Sequence, residues 1–320
     1  MAGESGKLKH VGIELGAGAF GSASAAFTHG LCCTSFNCNP KTSVEPIPEV
    51  RGKLSTVRVT RNAAIDYDAA LVFPLDVGDL ASGNIGHFLQ SILGTDIIGG
   101  SGPYQHKFTR ADTSEPTWFN LYSDKDATEK QYAGFRANSV KFTLTSGEGQ
   151  IPVEVGGIVQ GESALGGAQS LVFSASPILT PQQATTLTIA SSPITNFESI
   201  EITIARTNER FRAVGSSRLI NNQYTRDFRI DIALSGINFA SETERDKFKA
   251  SPGTASAFNM ILTDSASNYL HFYFPELYYT LFDGPDINDT ELLKISVSQI
   301  VTGDAYYVEL QNNRSTAYSV

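Results

Sequence analysis

The chain has 320 residues, 41% of them hydrophobic, with a charged fraction of 18% and a formal net charge of −9. That length and apolar content allow one large domain or two ordinary ones that fold without staples. An acidic chain without a basic run is excluded as a tight binder of phosphate backbones.

The first pattern in the chain is a G-x-G-x-x-G run at Gly16, Gly18 and Gly21, just after the short apolar segment Val11 to Leu15. In a dinucleotide-binding unit such a turn opens a helix, and an apolar strand ending in an acid follows about 20 residues on. Here residues 30–45 read GLCCTSFNCNPKTSVE, and Pro46 and Pro48 follow. No strand stands there, and nothing downstream alternates strands with long helices. The glycines read instead as a flexible, small-residue N-terminal segment, and no cofactor is expected. Cys32, Cys33 and Cys38 share the same stretch, with no C-x-x-C pair elsewhere to complete a zinc site, so they are expected as reduced thiols. The polar start MAGESGKLKH leads into no long apolar run, so neither a secretion signal nor a membrane span is expected.

Past residue 60 apolar residues recur at every second position. Ile65, Tyr67, Ala69, Leu71 and Phe73 alternate with Asp66, Asp68, Ala70 and Val72, which predicts a half-buried strand. Ile85, Phe88, Leu89 and Ile92 before Gly94 predict a short helix over 85–93. An aromatic strand over 117–122 follows. Then comes a hairpin in which Val140, Phe142 and Leu144 face Ile151, Val153 and Val155 across the turn at 146–149. The stretch 163–196, rich in Ser, Thr, Ala, Gly, Pro and Gln, reads as a connector that also lends a strand through runs such as Leu171-Val172-Phe173. Ile200, Ile202 and Ile204, then Phe228, Ile230, Ile232 and Leu234, open the second half as alternating strands. Ser241 with Glu244 begins a predicted helix over 242–250, and a strand at 257–262 and a hairpin over 277–303 complete it.

The two halves present the same order of elements. Phe119 aligned with Phe258 requires a shift of 139 residues, Gly147 with Gly284 a shift of 137 and Gly161 with Gly303 a shift of 142. An internal duplication is expected, with a first unit over 1–162, the connector over 163–196 and a second unit over 197–320. The fold class is therefore mainly β, as two tandem β-sandwich or barrel units, each with one short packed helix.

Reactive chemistry is sparse. There is no G-x-S-x-G elbow and no H-E-x-x-H, and the five histidines lack ligand spacing. His87 in the predicted helix and His271 in an aromatic strand are read as structural. Asp66 and Asp68 could serve acid–base work as paired carboxylates do in glycosidases, but on a strand they share a face where solvent exposure is the plainer account. Tyr269, Phe272, Tyr273, Phe274, Tyr278 and Tyr279 could stack a sugar or a base, and core or subunit packing is again the plainer account. No catalytic, cofactor or metal site is expected, and the chain reads as a structural subunit and not an enzyme.

Several phrases then acquire a common meaning. Phe20-Gly21-Ser22-Ala23, the helix ending at Leu89 to Gly94, the segment Tyr104-Gln105-His106-Lys107-Phe108 and the strand start at Gly134 to Val140 follow one another in an order that resembles tail tube proteins of long-tailed bacteriophages. The likeness covers roughly residues 10 to 162. The resemblance implies a unit of which six form a ring, inner sheets that join into a β-lined channel, and rings that stack into a tube. A doubled unit then implies three chains per ring. It also implies tape-measure, terminator and tip proteins as partners, a place in the virion tail after synthesis in the host cytoplasm, and DNA that passes without specific binding. For the channel, Asp66, Asp68, Glu154 and Asp231 are the expected lumen-facing residues, since they interrupt apolar strands on the alternate face. For stacking, the polar stretch 35–62 serves as the expected loop, with Pro40, Glu45, Glu49, Arg51, Lys53 and Arg58 as its candidates, together with the tail from Glu309. Another β-rich structural or adhesive subunit of a virion or surface, or a carbohydrate-binding β-sandwich, would share this composition.

Overall fold

The computed structural model describes residues 10–318 apart from 48–58, 79–83, 112–116, 125–128, 168, 174–177, 190–191, 194–196, 214–218, 238–255, 265–267, 284–294 and 303–304. The first half comprises β1 (Val11–Leu15), β2 (His29–Leu31), β3 (Ser35–Ile47), β4 (Val59–Pro74), the helix α1 (Ile85–Leu93), β5 (Ile97–Gly99), β6 (Tyr104–Phe108), β7 (Phe119–Ser123), β8 (Lys130–Thr145), β9 (Pro152–Val159) and β10 (Gly161–Ala164). The second comprises β11 (Ala184–Ile189), β12 (Ser192–Pro193), β13 (Ser199–Phe211), β14 (Asn222–Ile237), β15 (Ser256–Thr263), β16 (Tyr269–Asp283), β17 (Ile295–Val301) and β18 (Tyr307–Asn312). The fold is mainly β, as expected. The second expected helix, over 242–250, lies outside the described residues.

A long curled sheet runs β3-β4-β9-β8-β13-β14-β17-β16. Its core face follows from the period-two pattern. Leu71, Val155, Val140, Ile204 and Ile230 stand opposite one another across five strands, and each is at most 1% exposed. Burying side chains of this size stabilises by about 1.5–3 kcal/mol each. A smaller sheet joins β2, β1, β7, the N-terminal half of β8 and β10.

Helix α1 fills the space behind the main sheet. Asn84 caps it, its side chain accepting from the Gly86 amide at 2.8 Å, and Gly94 ends it at φ 99°, a left-handed turn in which a side chain would be strained. Phe88 lies 5.2 Å from Phe73 and 6.0 Å from Phe135, ring centre to ring centre, so the helix ties β4 to β8.

One pattern of pairing is built twice. β1 pairs with β2 and β7, β3 with β4, β4 with β9, and β8 with β7, β9 and β10. In the second half β11 pairs with β12 and β15, β13 with β14, β14 with β17, and β16 with β15, β17 and β18. The registers agree as well. Val155 corresponds to Val297 and Val140 to Phe282, a shift of 142, because each pair stands opposite within its own ladder. β8 carries an extra residue at Asn138 and β16 one at Thr280, again 142 apart. The β3–β4 ladder slips between Thr42 and Val44, and the β13–β14 ladder between Arg206 and Asn208, at the corresponding positions. Bulges set local bend and twist, so shared bulges mean shared curvature. The ladders align Leu121, rather than Phe119, with Phe258, since both stand opposite the corresponding residues Tyr132 and Phe274. Gly284 and Gly303 lie outside the described residues.

Two seams join the halves. β13 pairs with β8 over seven residues, Ser199–Ala205 against Thr145–Ser139, and β18 pairs with β6.

The glycine run follows a strand that pairs only antiparallel, with Gly18 and Gly21 at φ 78° and 76° in a turn where the Ser22 amide donates to the Ala19 carbonyl at 3.0 Å, so it opens no helix. Two sequence expectations change. Residues 35–47 are not a loop but a strand at the edge of the described sheet; its polar residues and prolines hid it, and charged residues and proline are the types an edge strand tolerates. The tail from Glu309 begins in β18, and its Tyr318 is buried. Within the connector the strand is β11, which pairs with β15, while the run Leu171-Val172-Phe173 makes only an isolated bridge between Val172 and His29.

Candidate functional site

The four acids expected at the channel come together on one surface. Glu154, Lys141, Thr203 and Asp231 stand opposite one another across β9, β8, β13 and β14, so all project to one face of the main sheet. Val72 stands opposite Glu154, and Asp66 and Asp68 lie on β4 at even spacing from it, on that same face. It is the face away from the apolar row.

None of these acids is bare. Lys41 donates to Asp68 at 2.7 Å, Arg210 bonds Asp68 and lies 3.4 Å from Asp66, and Arg212 bonds Asp66. Lys141 sits 3.0 Å from Glu201 and 3.7 Å from Glu154, and Arg229 donates to Asp231 at 2.6 Å. Asp66, Asp68, Glu154, Glu201 and Asp231 thus meet Lys41, Lys141, Arg210, Arg212 and Arg229, five acids against five bases. Glu201 beside it raises the Lys141 pKa above its usual value, keeping the ammonium charged. Each such half-exposed pair contributes only about 0–1 kcal/mol. Their effect is on the field: the face is locally balanced where the sequence alone pointed to an acidic one.

Of the expected stacking residues, Pro40 and Glu45 lie on β3, and Glu49, Arg51, Lys53 and Arg58 lie outside the described residues. The aromatic run of β16 is divided by the pleat. Phe272 and Phe274 face the core, while Tyr273 stacks on Tyr307 at 5.0 Å with Lys107 4.0 Å above that ring. Among the described residues no group of His, Cys, Asp and Glu is placed to hold a metal ion.

Comparison with known families gives this arrangement its context. A family model described as phage tail tube protein matches residues 19–304. The chain belongs to the phage tail tube protein family. No curated protein matches it. The match spans both halves, well beyond the region in which the sequence phrases lie. The family is a structural one and its members are components of the virion tail that assemble with themselves into a tube. No helix among the described residues is long and apolar enough to cross a membrane.

One site in this tail tube protein was invisible in its sequence. Tyr318 is 1% exposed, and its ring lies 4.9 Å from His87, 5.0 Å from His106 and 5.8 Å from Phe108. Its hydroxyl accepts from the side-chain amides of Asn84 at 2.8 Å and Asn312 at 2.9 Å, and its backbone amide donates to Asp96 at 2.8 Å. Residues 313–318, which follow β18, form a strap that His106 holds, with Nδ1 3.1 Å from Asp96 and Nε2 donating to the Arg314 carbonyl at 2.7 Å. The end of the second half is thereby locked onto the helix cap of the first. Only isolated polar residues and one tyrosine carry this in sequence, and no period marks them.

Burial, with Arg314 and His29 nearby, holds the His87 pKa well below its ordinary 6.5. A depressed histidine pKa means that the unfolded chain takes up the proton first. This contribution to stability is complete above pH 6.5 and is lost as pH falls, by at most about 1.4 kcal/mol per pH unit. Urea midpoints measured from about pH 7.5 down to about pH 5 are expected to fall more steeply for the native chain than for His87→Gln. Parallel slopes in the two proteins would contradict it.

Proposed function

We propose that this tail tube protein is the subunit of a ring of three chains, each contributing two copies of one unit, and that stacked rings form the conduit for DNA. The observation that carries this reading is the ladder built twice, with matching bulges, and joined within the chain by β8 and β13. Three such chains supply the six units that the family resemblance implies. The first unit corresponds to about residues 1–162 and the second to 197–320; β11 and β12, which repeat the pairing of β1 and β2, extend the second unit back into the connector.

In this reading the ion-paired face carrying Asp66, Asp68, Glu154 and Asp231 lines the channel. Lys and Arg side chains already held by carboxylates are poor phosphate clamps, because binding DNA would first require breaking those pairs. DNA then passes without specific attachment. Tape-measure, terminator and tip proteins are its partners in the tail.

Negative-stain electron microscopy of the purified protein tests this directly. Rings or tubes with a central hole and threefold symmetry are expected. Rings of six chains would keep the tube and overturn the two-unit reading, and compact particles under every assembly condition would overturn both. A separate prediction concerns stacking. Replacing residues 48–58, which include Glu49, Arg51, Lys53 and Arg58, by a short Gly-Ser turn is expected to leave rings that do not lengthen into tubes. Tubes of ordinary length from that variant would remove this segment from the stacking contact.

A further inference from the structure

β13 pairs on one side with β14 and on the other with the C-terminal half of β8. Its counterpart β3 pairs with β4, and no described strand lies along its other edge. The counterpart of β8 is β16, whose C-terminal half pairs with β17 on one side and beyond Leu277 has no described strand on the other. The seam between the two halves is thus occupied, and each of its two strands has a counterpart whose matching edge carries no described strand.

Burial records the same difference. Ile200, Ile202 and Ile204 of β13, covered by β8, are wholly buried, in alternation with half-exposed neighbours. In β3 the four residues from Asn39 to Thr42 are all exposed, including Pro40, which corresponds to Ile204. Pro40 and Lys41 are the residue types that keep an edge from pairing indiscriminately.

We propose that β3 of one copy pairs antiparallel with the C-terminal half of β16 in the next, in the register that β13 and β8 use within the chain. Thr203 opposite Lys141, Ile204 opposite Val140 and Ala205 opposite Ser139 translate into Asn39 opposite Asp283, Pro40 opposite Phe282 and Lys41 opposite Leu281 of the next copy. The partner is a second copy of this chain, and the contact is head-to-tail, since one edge meets a different edge; it closes into a ring when the rotation is right. The proposal rests on the reading of the chain as a ring subunit and adds which strands meet and in which register.

Directly opposed residues across such a ladder have Cβ atoms about 4.5–5.5 Å apart, near disulfide reach, whereas diagonal neighbours are about 7–8 Å apart, out of reach. In a background of Cys32→Ser, Cys33→Ser and Cys38→Ala shown by microscopy to assemble as the native chain does, Asn39→Cys with Asp283→Cys is expected to seal assembled protein on oxidation. The product is a covalent ring of chains that resists denaturing electrophoresis. The diagonal control, Asn39→Cys with Leu281→Cys, is expected to stay monomeric. Cross-linking of the control in place of the test pair, or neither pair cross-linking in visible rings, overturns the seam while leaving the tube reading intact. No ring or tube from the native chain under any condition overturns the tube reading and the seam together. Hydrogen exchange on the unmodified protein gives a second measurement. Protection on assembly is expected in Ser35–Ile47 and in 277–283, and unchanged exchange in both segments would overturn the proposal.

Discussion

Tyr318→Ala is expected to cost about 3–5 kcal/mol, the range for emptying a buried aromatic site. The ring is enclosed by His87, His106 and Phe108, so little can move in to fill the space. The loss includes two donors, since the side-chain amides of Asn84 and Asn312 both point at the missing hydroxyl. Asn84 caps α1, so the helix start loosens with it. Tyr318→Phe keeps the ring and removes only the acceptor, and is expected to cost about 1–3 kcal/mol, the penalty for stranding buried polar groups. Equilibrium urea unfolding of the three proteins measures both steps. Equal midpoints for the native chain and Tyr318→Ala would show that the strap contributes no stability. With total stabilities of about 5–15 kcal/mol for ordinary proteins, the alanine variant loses a large share of the whole.

Phe142→Ala is expected to cost a similar amount, about 3–5 kcal/mol, for a different reason. Phe142 lies on β8, fully buried, with its ring edge-on to Phe272 of β16 at 5.0 Å. Those two strands belong to opposite halves of the chain, so the cavity opens where the two halves share one core. A double-mutant cycle with Phe272→Ala is expected to show a coupling of about 0.5–1.5 kcal/mol, and additive losses would mean that the rings do not support each other. Because the shared core and both inter-half seams unfold together, the native chain is expected to show one cooperative transition rather than two. Phe142→Ala should shift that transition without splitting it.

Much of this fold could be read from alternation. Residues 67–73 of β4, 140–145 of β8, 152–156 of β9, 199–205 of β13 and 229–235 of β14 bury every second residue against one core, so a period of two in Ile65 to Phe73 or Ile200 to Ile204 was enough to find them. The helix at 85–93 was as plain, since four apolar residues share its buried stripe and Gly94 ends it. β3 was missed because it carries Cys38 and Pro40 at the places where its counterpart β13 carries Ile202 and Ile204. That Asp66, Asp68, Glu154 and Asp231 share one face away from the core was legible, since they are polar residues interrupting apolar strands. Their neutralisation was not, because Arg210 and Arg212 lie more than 140 residues from Asp66 and Asp68 in the chain. The strap at Tyr318 depends on contacts of 222 and 234 residues' separation, to Asp96 and Asn84, and leaves no local trace.

The two ladders match in register and bulges but no longer in charge. Asp66 corresponds to Arg229 through their shared places opposite Lys41 and Ala205, and Lys141 corresponds to Asp283 through their places opposite Glu154 and Ser296. An assembly of identical single units must repeat every substitution at every unit, so a change useful at one position is imposed on all. Two units carried on one chain are free of that constraint. A carboxylate in one can be answered by a guanidinium in the other, and mutations can accumulate in pairs while the curvature held by the common bulges stays fixed.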